Sequence, residues 1–214
     1  MIIVIQCASS KRADAGLLVS ASGKPVVFVA QPESAPPDNA HTHARPDDIS
    51  DNGKSWREVL LEYNETAEGN PLGLRPAYQL YENKIYAQLV DRFGLRKVYI
   101  LSAGWGLIAA DFLTPFYDIT FSQSAERFKR RKKKDRYQDF CMLPDRVDEE
   151  IVFFGGKDYV PLLCSLTGEI GKEKTVFYNS AHAPEAAGWT LKRFATNTRT
   201  NWHYECANAF VQSI

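Results

Sequence analysis

The chain alternates short, unbroken apolar runs with stretches where apolar residues recur every three or four positions. The runs fall at 2–5 (IIVI), 24–32 (KPVVFVAQP), 98–101 (VYIL), 151–154 (IVFF) and 175–178 (TVFY), with a weaker one at 191–194. Runs this short, apolar at successive positions and rich in β-branched and aromatic residues, predict strands buried on both faces, as in a parallel sheet. Ser55 caps a predicted helix over 56–66, with Glu58 three residues on completing a capping box. Leu80, Tyr81, Ile85, Leu89 and Phe93 mark a second helix over 77–93, ended by Gly94. Further helices are expected near 159–166 and 202–214. A helix joined by 94–97 to the strand at Val98 is an αβ unit, so the pattern predicts an α/β fold: a single domain over 1–214 with a mostly parallel central sheet flanked by helices.

Two stretches stand outside this pattern. Residues 33–54 are rich in Pro, Asp, Asn and Ser without a hydrophobic period, and a long mobile loop is expected there. His41 and His43 within it lack a carboxylate or cysteine at ligand spacing, so no metal site is expected. The run at 24–32 is expected to pair with the first strand as a hairpin through Ser22-Gly23. Residues 125–140 (AERFKRRKKKDRYQDF) read as a basic helical insertion, since eight of the ten residues from 127 to 136 are Lys or Arg.

Composition narrows the classes. At 214 residues, 44% hydrophobic and 12% aromatic, the chain supports one well-buried domain. Its formal net charge of zero means that any attraction to a polyanion must be local. Lys129, Arg130, Arg131, Lys132, Lys133, Lys134 and Arg136 supply such a patch, for which DNA or RNA is the natural partner. The competing readings are an acidic membrane surface, which the lack of a matching apolar face disfavours, and a merely solubilising helix. The cysteines at 7, 141, 164 and 206 form no C-x-x-C pair, which disfavours a disulfide framework or zinc ribbon. With no basic leader region and no span of roughly 20 apolar residues, a cytoplasmic protein without membrane association is expected. No cofactor is implied.

Candidate chemistry gathers where the runs end. Cys7, Ser9, Ser10 and Lys11 follow the first strand; hydroxyls, backbone donors and a cation there suit an anion. Ser102, Gly104, Trp105 and Gly106 follow the strand at 98, offering close backbone approach and an indole face, or else a tight turn around a core tryptophan. Gly155, Gly156 and Tyr159 follow the strand at 151, and His182 the one at 175. In a parallel sheet all these ends open on one side and form one crevice for a nucleotide or nucleobase. For an enzyme acting on such a ligand, Lys11 would stabilise charge or attack, Trp105 would stack, and Asp118 or His182 would move protons. Asp118 serves equally as a pairing partner and His182 as a structural or exposed group. A non-enzymatic DNA-binding protein and a small-molecule nucleotide hydrolase are the alternatives.

The run ILSAGWGLIAADFLTPFYDI resembles the I-L-S-x-x-[YW]-G segment, ending in P-Y, of the bacterial YaaA peroxide-stress family, and equally the ILSAKHGLL-type segment of small phage and bacterial proteins. In the smaller relatives Cys, Ser and Lys similarly follow the first strand, as Cys7, Ser9, Ser10 and Lys11 do here, and a G-G-x-x-Y helix start is similar to Gly155, Gly156 and Tyr159. The likeness covers most of the chain outside 33–54. It implies an α/β fold and, for the stress family, a DNA-binding role without an established reaction. The Cys-x-x-x-Lys spacing also resembles a lysine-bearing motif of archaeosine-type RNA-modification enzymes, which implies a chemical role for Lys11; Gln6 and Arg12 stand where that motif carries prolines.

Overall fold

The computed structural model describes residues 1–170 and 173–214. Its centre is a seven-stranded sheet of β1 (Ile2–Gln6), β2 (Val98–Ser102), β3 (Gly106–Ala109), β4 (Phe140–Cys141), β5 (Ile151–Phe154), β6 (Lys174–Tyr178) and β7 (Thr190–Arg193), in the order β4-β3-β2-β1-β5-β6-β7. Strands β1, β2, β5, β6 and β7 run parallel. β3 returns antiparallel to β2, and β4 pairs parallel to β3, so this edge runs against the rest. The helices are α1 (Trp56–Thr66), α2 (Ala77–Leu80), α3 (Ile85–Phe93), α4 (Val160–Thr167) and α5 (Trp202–Ser213). The protein is thus a compact single-domain α/β fold with a mostly parallel sheet. Among the described residues no helix is long and apolar enough to cross a membrane.

The unbroken apolar runs are explained by position. Ile3, Val4 and Ile5 are fully buried, with Ile3 in register with Val98 on one side and Val152 on the other. A strand flanked by neighbours and covered on both faces has no room for polar alternation. α3 and α5 pack on each other, α3 also against β1 and β2, and α5 against β5 and β6. The chain steps from β1 to β2 in one direction and from β5 to β6 in the other. Right-handed crossovers therefore put α3 and α4 on opposite faces. β1 is the point where the strand order reverses, and α/β sheets bind ligands beyond the carboxyl ends of strands there.

Four expectations change. The 24–32 run does not pair with β1; Pro25–Val29 forms a separate small sheet with Leu18–Val19, Thr42–Ala44 and Tyr117–Asp118. Residues 33–54 are not featureless, since Thr42–Ala44 belongs to that sheet and Asp47 pairs with buried Arg57. The 77–93 helix breaks at Tyr81 because the loop after β1 takes its backbone: Arg12 N–H donates to Leu80 O at 2.9 Å and Glu82 N–H to Ser10 O at 3.4 Å. In place of the basic helix stands one 3-10 turn, Arg127–Lys129. Its neighbours are held extended, with Thr120 N–H donating to Lys129 O and Arg131 N–H to Thr120 O, both at 2.9 Å. A helix here would also stack like charges four residues apart.

Candidate functional site

Beyond the carboxyl end of β1, between β2 and β5, opens a crevice of about 910 Å³. One wall is Gln6 to Ser10, continuing β1; another is Gly156, Asp158 and Tyr159, between β5 and α4. Gln6 Oε1 accepts the Gly156 N–H at 2.6 Å and ties the two strand ends together. Ser9 and Ser10 are exposed at the rim, opposite Ser122 and Ser124. The third wall is aromatic: Phe121 meets Tyr159 edge to face at 5.0 Å, and Trp202 and Tyr204 enter from the first turn of α5. His203 lies between them, buried, with Nε2 lacking a partner among the described residues. Burial drives its pKa down to about 4, so the imidazole is neutral near pH 7.

Cys7 is the most buried of the expected residues that line the crevice. Its Sγ accepts the Ala103 N–H at 3.4 Å and lies 3.3 Å from Tyr159 Oη. Around it is a layer of buried phenols: Tyr81 Oη and Tyr117 Oη are 2.9 Å apart, and Ser102 Oγ donates to Tyr117 Oη at 2.8 Å. Burial raises the pKa of Tyr81, Tyr117 and Tyr159 well above the ordinary phenol value, so all three stay neutral.

Lys11 belongs to this layer and does not line the crevice. Its Nζ donates to Ala8 O at 3.1 Å and sits 4.1 Å from the Tyr117 ring centroid. Burial lowers its pKa, and nearby Cys7 and Asp118 only partly oppose the shift. Asp118 is half-buried and paired with Lys129 Nζ at 2.9 Å, an occupied partner rather than a free base. His182 is exposed and outside the crevice; Ser180 Oγ donates to its carbonyl at 2.6 Å.

The turn after β2 is closed. Trp105 has no accessible surface, packing edge-on to Phe28 at 5.0 Å and stacking on Phe140 at 6.3 Å. Arg57 donates to Gly104 O at 2.7 Å and Trp105 O at 3.1 Å, and Arg131 to Ala103 O at 2.9 Å. Ser102 Oγ accepts the N–H groups of Gly104 and Trp105. Gly106 has φ +88°, and a Cβ there would lie 2.4 Å from Phe140 O, so this glycine serves the β3–β4 approach. Gly155 likewise is a packing glycine, its missing Cβ replaced by the Phe153 ring. Ser102, Gly104, Trp105, Gly106 and Gly155 are therefore structural, and Trp105 is not available to stack on a ligand.

The basic stretch is partly consumed. Arg131 is buried and paired with Asp139 at 2.8 Å; Lys129 pairs with Asp118 and Glu126, and Lys133 with Asp158 at 2.9 Å. Arg130 Nη1 donates to Gln123 O at 3.2 Å. Lys132, Lys134 and Arg136 are exposed and form no ion pair among the described residues. Sequence reasoning missed the wall from Thr120 to Ala125 and the 199–204 segment, both on the crevice only through long-range folding. Their one local signal is the aromatic-His-aromatic triplet Trp202-His203-Tyr204 at a helix start.

No family model matches the chain, and neither a curated protein nor a solved structure matches it.

Proposed function

We propose that this is a nucleic-acid-associated protein whose crevice holds a nucleotide or nucleobase. The observation that carries the reading is the crevice's place and lining: about 910 Å³ beyond the carboxyl end of β1, aromatic on one side and hydroxyl-rimmed on the other. The flat face of a base suits Phe121, Tyr159, Trp202 and Tyr204, while the exposed rim serines suit a sugar and phosphate. Exposed Lys132, Lys134 and Arg136 supply positive charge for a polyanion. The resemblance of residues 100–119 to a segment of the YaaA family supports the nucleic-acid side of the reading. Lys11 here is a positioning residue, holding the crevice-lining loop after β1 through its bond to Ala8 O at 3.1 Å.

The test is titration calorimetry with nucleobases, nucleosides and nucleoside monophosphates against the wild type and Ser9→Trp. Ser9 is exposed at the rim, so the indole fills the crevice without entering the core. The expected result is a ligand bound by the wild type and weakened by about tenfold or more in the variant, as for a filled apolar pocket. Undiminished binding by Ser9→Trp would place the ligand elsewhere and defeat the reading.

A further inference from the structure

A second cleft of about 340 Å³ adjoins the crevice, and the two share Phe121 and Asp158 as their dividing ridge. Its floor is apolar, from Pro161, Leu162 and Leu166 of α4, and its opposite wall is the segment from Arg131 to Asp139. Arg131 lies with its guanidinium carbon 3.9 Å from the Tyr137 ring centroid and 5.4 Å from that of Phe121. Two polar atoms in this wall, Arg131 Nε and Tyr137 Oη, are buried without partners among the described residues, a rare state for native polar groups.

Among the described residues, the charges around the cleft leave one of its cations without an ion-pair partner. Asp139 is held by Arg131, and Asp135 accepts the Lys132 N–H at 2.8 Å. Asp158 pairs with Lys133 at 2.9 Å in a half-exposed pair that an incoming anion displaces at little cost. Arg136 lines the cleft and forms no ion pair among the described residues.

We propose that crevice and cleft are consecutive subsites for two adjacent nucleotides of a single strand. One base enters the crevice, the next lies on the α4 floor beside Tyr137, and Lys133 and Arg136 hold the phosphate linking them over the Phe121 ridge. This rests on the crevice being a nucleotide site, and it makes the ligand a strand rather than a free nucleotide. The size and apolar floor of the cleft suit a base, and the cations at its mouth suit the phosphodiester. An extended polyanion tracked by aromatic faces and positive side chains is the general form of single-strand recognition.

The experiment compares 5′-mononucleotides with 5′-phosphorylated dinucleotides by calorimetry, at 50 and 200 mM salt, for the wild type, Arg136→Gln and Lys133→Gln/Arg136→Gln. The dinucleotide is expected to bind about tenfold tighter than the mononucleotide, from one more stacked base. That ratio should shrink about threefold at the higher salt, as for one phosphate contact. It should fall in Arg136→Gln and fall further in the double variant, to the roughly threefold left by the stacked base alone, with its salt dependence lost. Mononucleotide binding with no dinucleotide gain, or a gain whose size and salt dependence the double variant keeps, overturns the second subsite alone. Binding of neither ligand overturns the crevice reading and the second subsite together.

Discussion

The ends of β1 and β2 lie side by side and carry similar residues, yet one opens on solvent and the other is sealed. After β1, Ser9 and Ser10 are exposed at a crevice rim; after β2, Ser102 and Ala103 have no accessible surface. The sealing groups come from far away in the chain. Arg57 of α1 and Arg131 of the basic stretch bind the carbonyls of Ala103, Gly104 and Trp105, while Phe28 and Phe140 enclose the indole. Small polar residues at a strand end therefore mark a sharp turn, and only the surrounding chain decides whether that turn is a site or a joint.

The largest test of this contrast is Trp105→Ala, which should cost about 3–5 kcal/mol in denaturant unfolding by emptying a fully buried site. A loss under about 1 kcal/mol would mean the turn is not packed as described. Arg131→Met should cost somewhat less, about 3–4 kcal/mol, by leaving Asp139 and the Ala103 carbonyl without their donor. Full stability in that variant would return Arg131 to the list of free cations.

On the open side, His203 ties stability to pH. Its folded pKa of about 4 lies below the ordinary 6.5, so between these values the unfolded chain binds more protons and stability falls on acidification. The loss should reach about 3 kcal/mol by pH 4, and His203→Phe should remove it. An unchanged acid limb in His203→Phe would assign the loss to other groups. The smallest effect is expected from Ser9→Ala and Ser10→Ala, each within about 0.5 kcal/mol of wild type because both side chains are exposed. A cost above about 1 kcal/mol for either would show that the crevice rim is as structural as the β2 turn.

Local patterns were legible wherever one segment decides its own structure. The capping box at Ser55 and Glu58 is formed, and α1 spans the expected residues. The β1, β2 and β5 runs are strands, and the prediction that their ends share one edge holds, which put Cys7, Ser9, Ser10, Gly156 and Tyr159 on the crevice. Patterns failed where a distant partner competes for the backbone. Tyr81 sits at a good helical position, yet residues 10–12 claim its neighbours' hydrogen bonds. The run from 127 to 136 looked like a free cationic face, yet it is drawn extended along Thr120 and gives Arg131 to the core.

By itself the sequence determined the α/β class, the strands buried on both faces, the capped helix and the parallel edge where a site must lie. Periodicity and capping depend on neighbours a few residues apart, so they survive without the fold. The tertiary structure alone decided which strand end is open, because closing one takes Arg57, Phe28, Arg131 and Phe140 from four separate segments. It also decided that the crevice is walled by Phe121 and the 202–204 triplet, about 80 residues apart in the chain. Which turn is sealed and which cation is paired are properties of the packed whole, and no local pattern in the chain encodes them.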